Sequence, residues 1–247
     1  MRHHRAGDAV SPLPDTFSLL CWNIHKEMGR IAFDTTLNGL LHTYDPKLVL
    51  LQEAVLDRHT SERLPGYDFS AAVNLSLRQK EYGVLTAAKC TIGETVGLIT
   101  SRRELLIATR KALMITTHPF SDGPALTAVN LHAINFVSAT VFFEEIERLA
   151  ETLRERTGPM IVTGDFNTWS KKRLAHVEHF IRTIGLESAV FTNGHHIKHR
   201  FAKPLDHLFF RGLECLGAEA VDTGKVSDHN PIVATFRRPG SPDSPAS

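Results

Sequence analysis

Apolar positions along the chain recur with two different spacings, and each predicts a different element. Helical spacing governs three segments. Leu37, Leu40, Leu41 and Tyr44 fall at i, i+3, i+4 and i+7, predicting a helix capped by Asp34 and ended by Asp45-Pro46. From Thr140 to Arg156, one face is marked by Val141, Phe142, Ile146, Leu149, Ala150 and Leu153, and Gly158-Pro159 stops the run. From Lys171 to Ile184 the face is Leu174, Val177, Phe180, Ile181 and Ile184, with Ser170 as the cap and Gly185 just past the end. The apolar runs between these segments are too short for helices and are bounded by turn residues, so they predict strands.

Several predicted strands carry a polar cluster at one end. FSLLCW runs into Asn23-Ile24-His25-Lys26, KLVLL into Gln52-Glu53, LTAVNL into His132, and PMIVT into Gly164-Asp165-Phe166-Asn167. In two others the order is reversed, because Asp206-His207 opens LFF and Asp228-His229-Asn230-Pro231 opens IVATF. For all six clusters to meet at one edge, the last two strands must run opposite to the first four. That requires mixed sheets. Runs such as KLVLL and PMIVT, apolar at successive positions, imply strands covered on both faces. Two packed sheets with helices outside satisfy both conditions, an α/β architecture.

Composition narrows the class without naming a chemistry. The chain has 247 residues, 42% of them hydrophobic, with 28 Lys+Arg against 27 Asp+Glu. A compact chain of this size buries roughly 70 to 75% of its unfolded surface and needs no staple to hold a core. The three cysteines, Cys21, Cys90 and Cys215, have no pairing or zinc spacing, which suggests a reducing, cytoplasmic setting. No apolar run reaches the ~20 residues of a membrane span, and no signal-peptide core follows the charged start. Folded sequence is expected over 16–238 as one domain, with disordered tails at 1–15 and 239–247. A formal net charge of +1 shows no overall basic field of the kind that marks many nucleic-acid binders.

Gathered at one edge, the clusters supply the carboxylates Glu53, Asp165, Asp206 and Asp228, the histidines His132 and His229, and the amides Asn23 and Asn167. Carboxylate and amide oxygens are hard ligands that suit Mg²⁺, which keeps several waters and uses few protein carboxylates. No cysteine joins the set, which argues against a structural zinc or soft-metal site. A histidine paired with an aspartate is the usual device for fixing an imidazole tautomer and stabilising its charged form. The chemistry suggested is metal-assisted hydrolysis of a phosphoester.

At these residues the sequence resembles the endonuclease/exonuclease/phosphatase family, whose relatives include pancreatic deoxyribonuclease, exonuclease III, neutral sphingomyelinases and inositol-polyphosphate 5-phosphatases. The motifs are CWNIHK, LLQEA, NLHA, GDFN, LDHLF and SDHNPI, in the family's order from Cys21 to Ile232. The resemblance implies a four-layer α/β/β/α sandwich and a Mg²⁺-dependent phosphodiesterase, with Mn²⁺ able to substitute. It makes Glu53 the principal metal ligand, with Asn23 beside it and Asp228 completing the shell. Asp165 would orient or deprotonate the attacking water, and Asn167 would hold that water and a phosphate oxygen. His229, oriented by Asp206, would transfer a proton or donate to the scissile phosphate, and His132 would be a phosphate contact or general acid. No nucleophilic Ser or Cys stands in a motif, so direct attack by water is expected.

Nucleic acid, DNA or RNA, is the leading substrate expectation, with endonuclease-like cleavage by a monomer that has no integral membrane association. The alternatives are a phosphatase or sphingomyelinase-like hydrolase of a lipid or small phosphorylated substrate, and an inactive binding module. His25, His207 and Gln52 lie within motifs and are expected to be structural, Trp169 to serve packing, and His176 with His179 to form a solvated face. His195, His196 and His199, among Lys198 and Arg200, are either a substrate-facing rim or plain surface. Basic clusters at Arg102-Arg103, Arg110-Lys111, Lys171-Lys172-Arg173 and Lys198 to Lys203 are expected to be solvated faces. None is interleaved with aromatics along the sequence as a base-stacking platform requires.

Overall fold

Side-chain alternation along the central strands sets the layering seen in the computed structural model, which describes residues 1–6, 11–77, 80–100 and 111–240. In chain order the elements are β1 (Arg2–His4), β2 (Thr16–Asn23), α1 (Ile31–Tyr44), β3 (Leu48–Leu56), α2 (Thr60–Arg63), β4 (Asp68–Leu77) and β5 (Lys80–Ala88). Next come β6 (Thr95–Ile99), β7 (Ala112–His118), β8 (Leu126–His132), α3 (Ala139–Arg154), β9 (Met160–Asp165) and α4 (Lys171–Thr183). The last are β10 (Glu187–Ser188), β11 (His199–Arg200), β12 (Lys203–Pro204), β13 (Asp206–Arg211), β14 (Glu214–Ala220) and β15 (Ile232–Arg237). One sheet has the order β1-β4-β5-β3-β2-β15-β14, the other β10-β13-β9-β8-β7-β6, and β11-β12 form a separate hairpin.

Odd and even positions of β2 go to different cores. Leu19 and Cys21 pack between the sheets with Leu48, Leu50, Ala128, Ile161, Leu208 and Ala234. Leu20 and Trp22 face the other way, onto Phe33, Leu37 and Leu41 of α1. In β9, Ile161 points between the sheets, while Met160 and Val162 pack against Phe142, Ile146, Val177 and Phe180 of α3 and α4. The layers are therefore helix, sheet, sheet, helices, as the doubly apolar strands required. Strand directions agree with the polar-end reading. β2 runs parallel to β3 and β8 parallel to β9, whereas β15 is antiparallel to β2 and β13 antiparallel to β9. All six polar clusters thus reach the same edge.

Two expectations are corrected. The segment expected as a disordered tail before Thr16 is partly built into the fold: β1 pairs with β4, with His3 opposite Ser70, and Leu13 is buried. The pairing supplies backbone hydrogen bonds that composition does not reveal. Asp34 does not cap α1, whose N-cap position is Arg30 and carries no side-chain cap; the Asp34 carboxylate instead accepts from Gly29 N and pairs with Arg63. The expected cap at Ser170 is in place, accepting from Arg173 N, and Ser138, which the sequence pattern did not single out, caps α3 by accepting from Val141 N. Arg102, Arg103, Arg110 and the end of the chain from 241 lie outside the described residues. Among the described residues, no helix is long and apolar enough to cross a membrane.

The last turn of chain within β9, where it reaches the polar edge, demands glycine. Gly164 has φ +139° and lies opposite Leu131 of the parallel strand β8, where an added Cβ would fall on the Leu131 carbonyl oxygen. Gly164→Ala should therefore cost roughly 3 kcal/mol or more in urea unfolding. Gly39→Ala, on an exposed helical position with nothing nearby, should gain roughly 0.5 to 1 kcal/mol in the same assay. Similar losses at both positions would contradict this account.

His118 is buried between the sheets, beside Thr116 Oγ1 and Thr91 O, and burial pulls its pKa down from 6.5 to about 4. The unfolded chain therefore takes up this proton first. Stability from the neutral ring is complete above pH 6.5 and is lost as pH falls toward 4. Between pH 7.5 and 5, His118→Gln should lose about 2 kcal/mol less than the unaltered protein, and equal losses would contradict the assignment.

Candidate functional site

The site is the polar continuation of the interface between the sheets. Position 23 follows 19 and 21 on the inward face of β2, and position 165 follows 161 and 163 on that of β9. They meet across the sheets: Asn23 Nδ2 donates to Asp165 Oδ2 at 3.0 Å, and both residues are buried. Just inside them Gln52 Nε2 donates to Asn130 Oδ1 at 2.7 Å, and Asn130 Nδ2 donates to the Leu51 and Leu85 carbonyls. Gln52 is structural, as expected.

Glu53 reaches the same edge by breaking the alternation. The β3–β5 register shifts between Leu51 and Ala54, and Glu53 has φ +54°. This bulge turns its carboxylate toward the site. Oε1 lies 3.7 Å from both His132 Nε2 and Lys111 Nζ, and Oε2 lies 3.8 Å from Lys26 Nζ. Asp165 Oδ1 accepts from Asn167 N at 2.9 Å, and Asn167, at φ +52°, donates from Nδ2 to Ala133 O at 3.0 Å. Both amides therefore have ordered positions beside Asp165.

His229 and Asp206 form the tightest charged contact in the cluster, with Nδ1 to Oδ2 at 2.7 Å and both side chains buried. The backbone at His229 is fixed twice, by Trp22 Nε1 donating to its carbonyl and by Ser227 Oγ accepting from its amide. Nε2 faces Asp165 Oδ2 and Asp228 Oδ1, each at 3.9 Å. Burial pulls His229 down, but the Asp206 carboxylate, with Asp165 and Asp228, outweighs it and carries the imidazole up to about 9. Burial also drives Asp165 up to about 6, against the pull of His229 and with a push from Asp206. The site thus pairs a base able to hold a proton near neutrality with an imidazolium.

His132 differs from the expectation in one respect. Its Nε2 is 2.9 Å from Lys111 Nζ, and since an ammonium only donates, that ring nitrogen accepts. Burial, reinforced by Lys111, His229 and Lys26, holds its pKa well below the usual 6.5. A neutral ring occupied in this way has no proton at Nε2 to offer either a leaving group or a phosphate oxygen, so in this arrangement Nε2 serves as the acceptor that positions Lys111. Asp228 sits at the exposed rim, 3.6 Å from Lys198 Nζ. Among the described residues, no group of three or more His, Cys, Asp or Glu converges as a metal cage. The oxygens of Glu53, which now face Lys111 and Lys26 at 3.7 to 3.8 Å, and Asn23 Oδ1, which accepts from His25 N, are hard donors of the kind a partly hydrated cation takes, and a cation there would have to displace the two ammonium groups.

Two residues expected on solvated faces belong to the site's support. Lys111 is buried against His132, and Arg173 is 1% exposed. Arg173 donates to the Ile134, Asn167 and Val137 carbonyls and lies over the Phe142 and Trp169 rings, tying the loop after β8 to the loop after β9. Its spacing with Val177, Phe180 and Ile181 places it on the apolar face of α4, a signal present in the sequence. Trp169 serves packing and donates to Asn135 Oδ1. His207 is structural, bonded to Thr168 Oγ1 and stacked on Phe209. His176 is not simply solvated: it stacks on Phe143 and pairs with Glu147 of α3.

The model of the Endonuclease/Exonuclease/phosphatase family matches residues 20–229. A UPF0294 protein of Vibrio cholerae serotype O1 is 34% identical over 231 residues, covering 92% of this chain and 80% of that protein. An endonuclease/exonuclease/phosphatase structure from Beutenbergia cavernae aligns with TM-score 0.69 at 17% identity, over 93% of this chain and 73% of that one. Humanized D. rerio TDP2 carrying 14 mutations aligns with TM-score 0.69 at 17% identity, over 90% and 99%. At such identity the two structures speak for the fold alone.

Because Arg173 satisfies two buried carbonyls and a half-buried third, Arg173→Met should cost about 3 kcal/mol of stability. Arg173→Lys should recover only part of it, since an ammonium cannot span the same fork. Thermal melting checks this, and a neutral Met variant would contradict the bracing role.

Proposed function

Given that this chain belongs to the Endonuclease/Exonuclease/phosphatase family, we propose that it hydrolyses a phosphodiester, with nucleic acid as the substrate class and internal cleavage as the mode. The observation that carries the reading is the meeting of Asp165, Asn23 and the His229–Asp206 pair from both sheets at one edge. A bound Mg²⁺, held by Glu53 and Asn23 with Asp228 at the rim, would supply Lewis acidity toward a phosphate oxygen. The remaining steps belong to side chains of this chain.

Asp165 is the base. Its two oxygens are aimed by the Asn23 and Asn167 donors, and its raised pKa lets it take the proton of an attacking water at neutral pH. His229, kept charged by Asp206, offers Nε2–H to the phosphate, where negative charge gathers in the transition state. Both groups stand in place before substrate arrives, so little reorganisation is needed. Lys111, presented beside neutral His132, adds a cation for a nonbridging oxygen. The unpaired Cys21, Cys90 and Cys215 accord with a cytoplasmic setting.

The test is one panel with Mg²⁺ or Mn²⁺ over plasmid DNA, abasic oligonucleotide, RNA, sphingomyelin and inositol phosphates. DNA or RNA should be cut, EDTA should abolish cutting, and Asp165→Asn, His229→Ala and Glu53→Gln should each lower the rate by roughly 10²- to 10⁴-fold. Exclusive choline-phosphate release, or near-full turnover in all three variants, would overturn the reading.

A further inference from the structure

The loops beside the catalytic edge bring together aromatics that are far apart in sequence. Phe136, on the loop after β8, is 36% exposed, and Phe201, at the tip of the β11–β12 hairpin, is 74% exposed. The Arg200 guanidinium lies 5.5 Å from the centroid of each ring. Trp169 meets Phe201 edge-on at 6.3 Å between centroids. Phe201 and Ala202 both have positive φ, +50° and +58°. A two-residue turn of this kind normally takes Asn-Gly, so a phenylalanine here bears backbone strain to hold a ring in solvent.

The platform is anchored to the catalytic strands. Thr168 Oγ1 donates to Pro204 O at 2.5 Å, and Phe166 N donates to Leu205 O at 2.8 Å. Lys198, at the hairpin base, reaches Asp228. Phe136 lies four residues beyond His132, and the intervening Ala133 carbonyl accepts from Asn167. Cations and exposed rings thus flank the edge where a phosphate would be cleaved.

We propose that Phe136 and Phe201, both set against Arg200, form a stacking platform for unpaired bases of a single-stranded nucleic acid whose backbone enters the catalytic edge. The proposal rests on the phosphodiesterase reading above and deepens it. Ring faces beside a guanidinium suit a base next to its phosphate, and stacking requires a base released from a duplex. Two separate rings divided by a cation offer too little continuous apolar surface for insertion into a membrane. In the sequence only Phe201 sits within a basic run, Lys198 to Lys203; Phe136 stands 65 positions away and joins it only through the fold.

The test is fluorescence anisotropy of the full chain in EDTA with labelled dT12, rU12, a dT12·dA12 duplex and a 12-unit abasic strand. Dissociation constants should be lowest for dT12 or rU12, with the duplex and the abasic strand bound roughly tenfold or more weakly. Phe136→Ala with Phe201→Ala should remove that preference, and Phe201→Trp should keep it. Hydrolysis of bis(p-nitrophenyl) phosphate with Mn²⁺ should be unchanged in these variants, which also reports on their folding. Equal binding of base-bearing and abasic strands, with that hydrolysis intact, would overturn the platform alone. Absence of any phosphoester hydrolysis would instead overturn the function on which it rests. Phenylalanine-dependent binding to phosphatidylserine vesicles in place of the strand would assign the rings to a lipid surface and refute the proposal.

Discussion

Asn23 and Asp165 end strands of different sheets and meet through one 3.0 Å hydrogen bond in a nearly dry interior. Polar groups persist in such a place mainly when they have partners, and at this edge Gln52 Oε1 is the buried atom among the described residues that lacks one. That constraint organises the whole edge. Gln52 and Asn130 close the interface just beneath, Asn167 occupies the second oxygen of Asp165, and Asp206 compensates His229. The apolar positions of the same strands fix the register, so the packing that hides Leu19, Leu50 and Ile161 also aims the polar groups.

The charge arrangement follows from that burial. Asp165 and His229 face each other at 3.9 Å; burial raises the Asp165 carboxyl, whereas burial lowers His229 and the carboxylates of Asp206, Asp165 and Asp228 outweigh it, so both pKa values end above their usual range. The two groups are thus tuned by their environment, with no specialised residue type needed. Glu53 stands apart from this pair because a bulge, and not strand alternation, delivers it.

Much of this was legible in the sequence, because polar clusters at strand ends encode strand direction. The reversed clusters Asp206-His207 and Asp228-His229 required antiparallel strands, and β13 and β15 are antiparallel to their partners β9 and β2. Features that depend on three-dimensional pairing were not legible. β1 pairs with β4 across 67 positions, and the contact between Lys111 and His132 links adjacent strands with no motif to mark it. Arg173 lay between these cases: its helical phase was readable, but its place in a run of three basic residues suggested solvent. Charge clusters in sequence do not distinguish a guanidinium in water from one buried over two aromatic rings.

The central claim is that the shared edge of the two sheets is one cation-dependent hydrolytic site. Anomalous scattering from Mn²⁺-soaked crystals tests it most directly. The account predicts a peak on the Glu53 carboxylate beside Asn23, absent in Glu53→Gln crystals. A strong peak at His195, His196 and His199 with none at Glu53, or a Glu53-side peak unchanged in the variant, would contradict it.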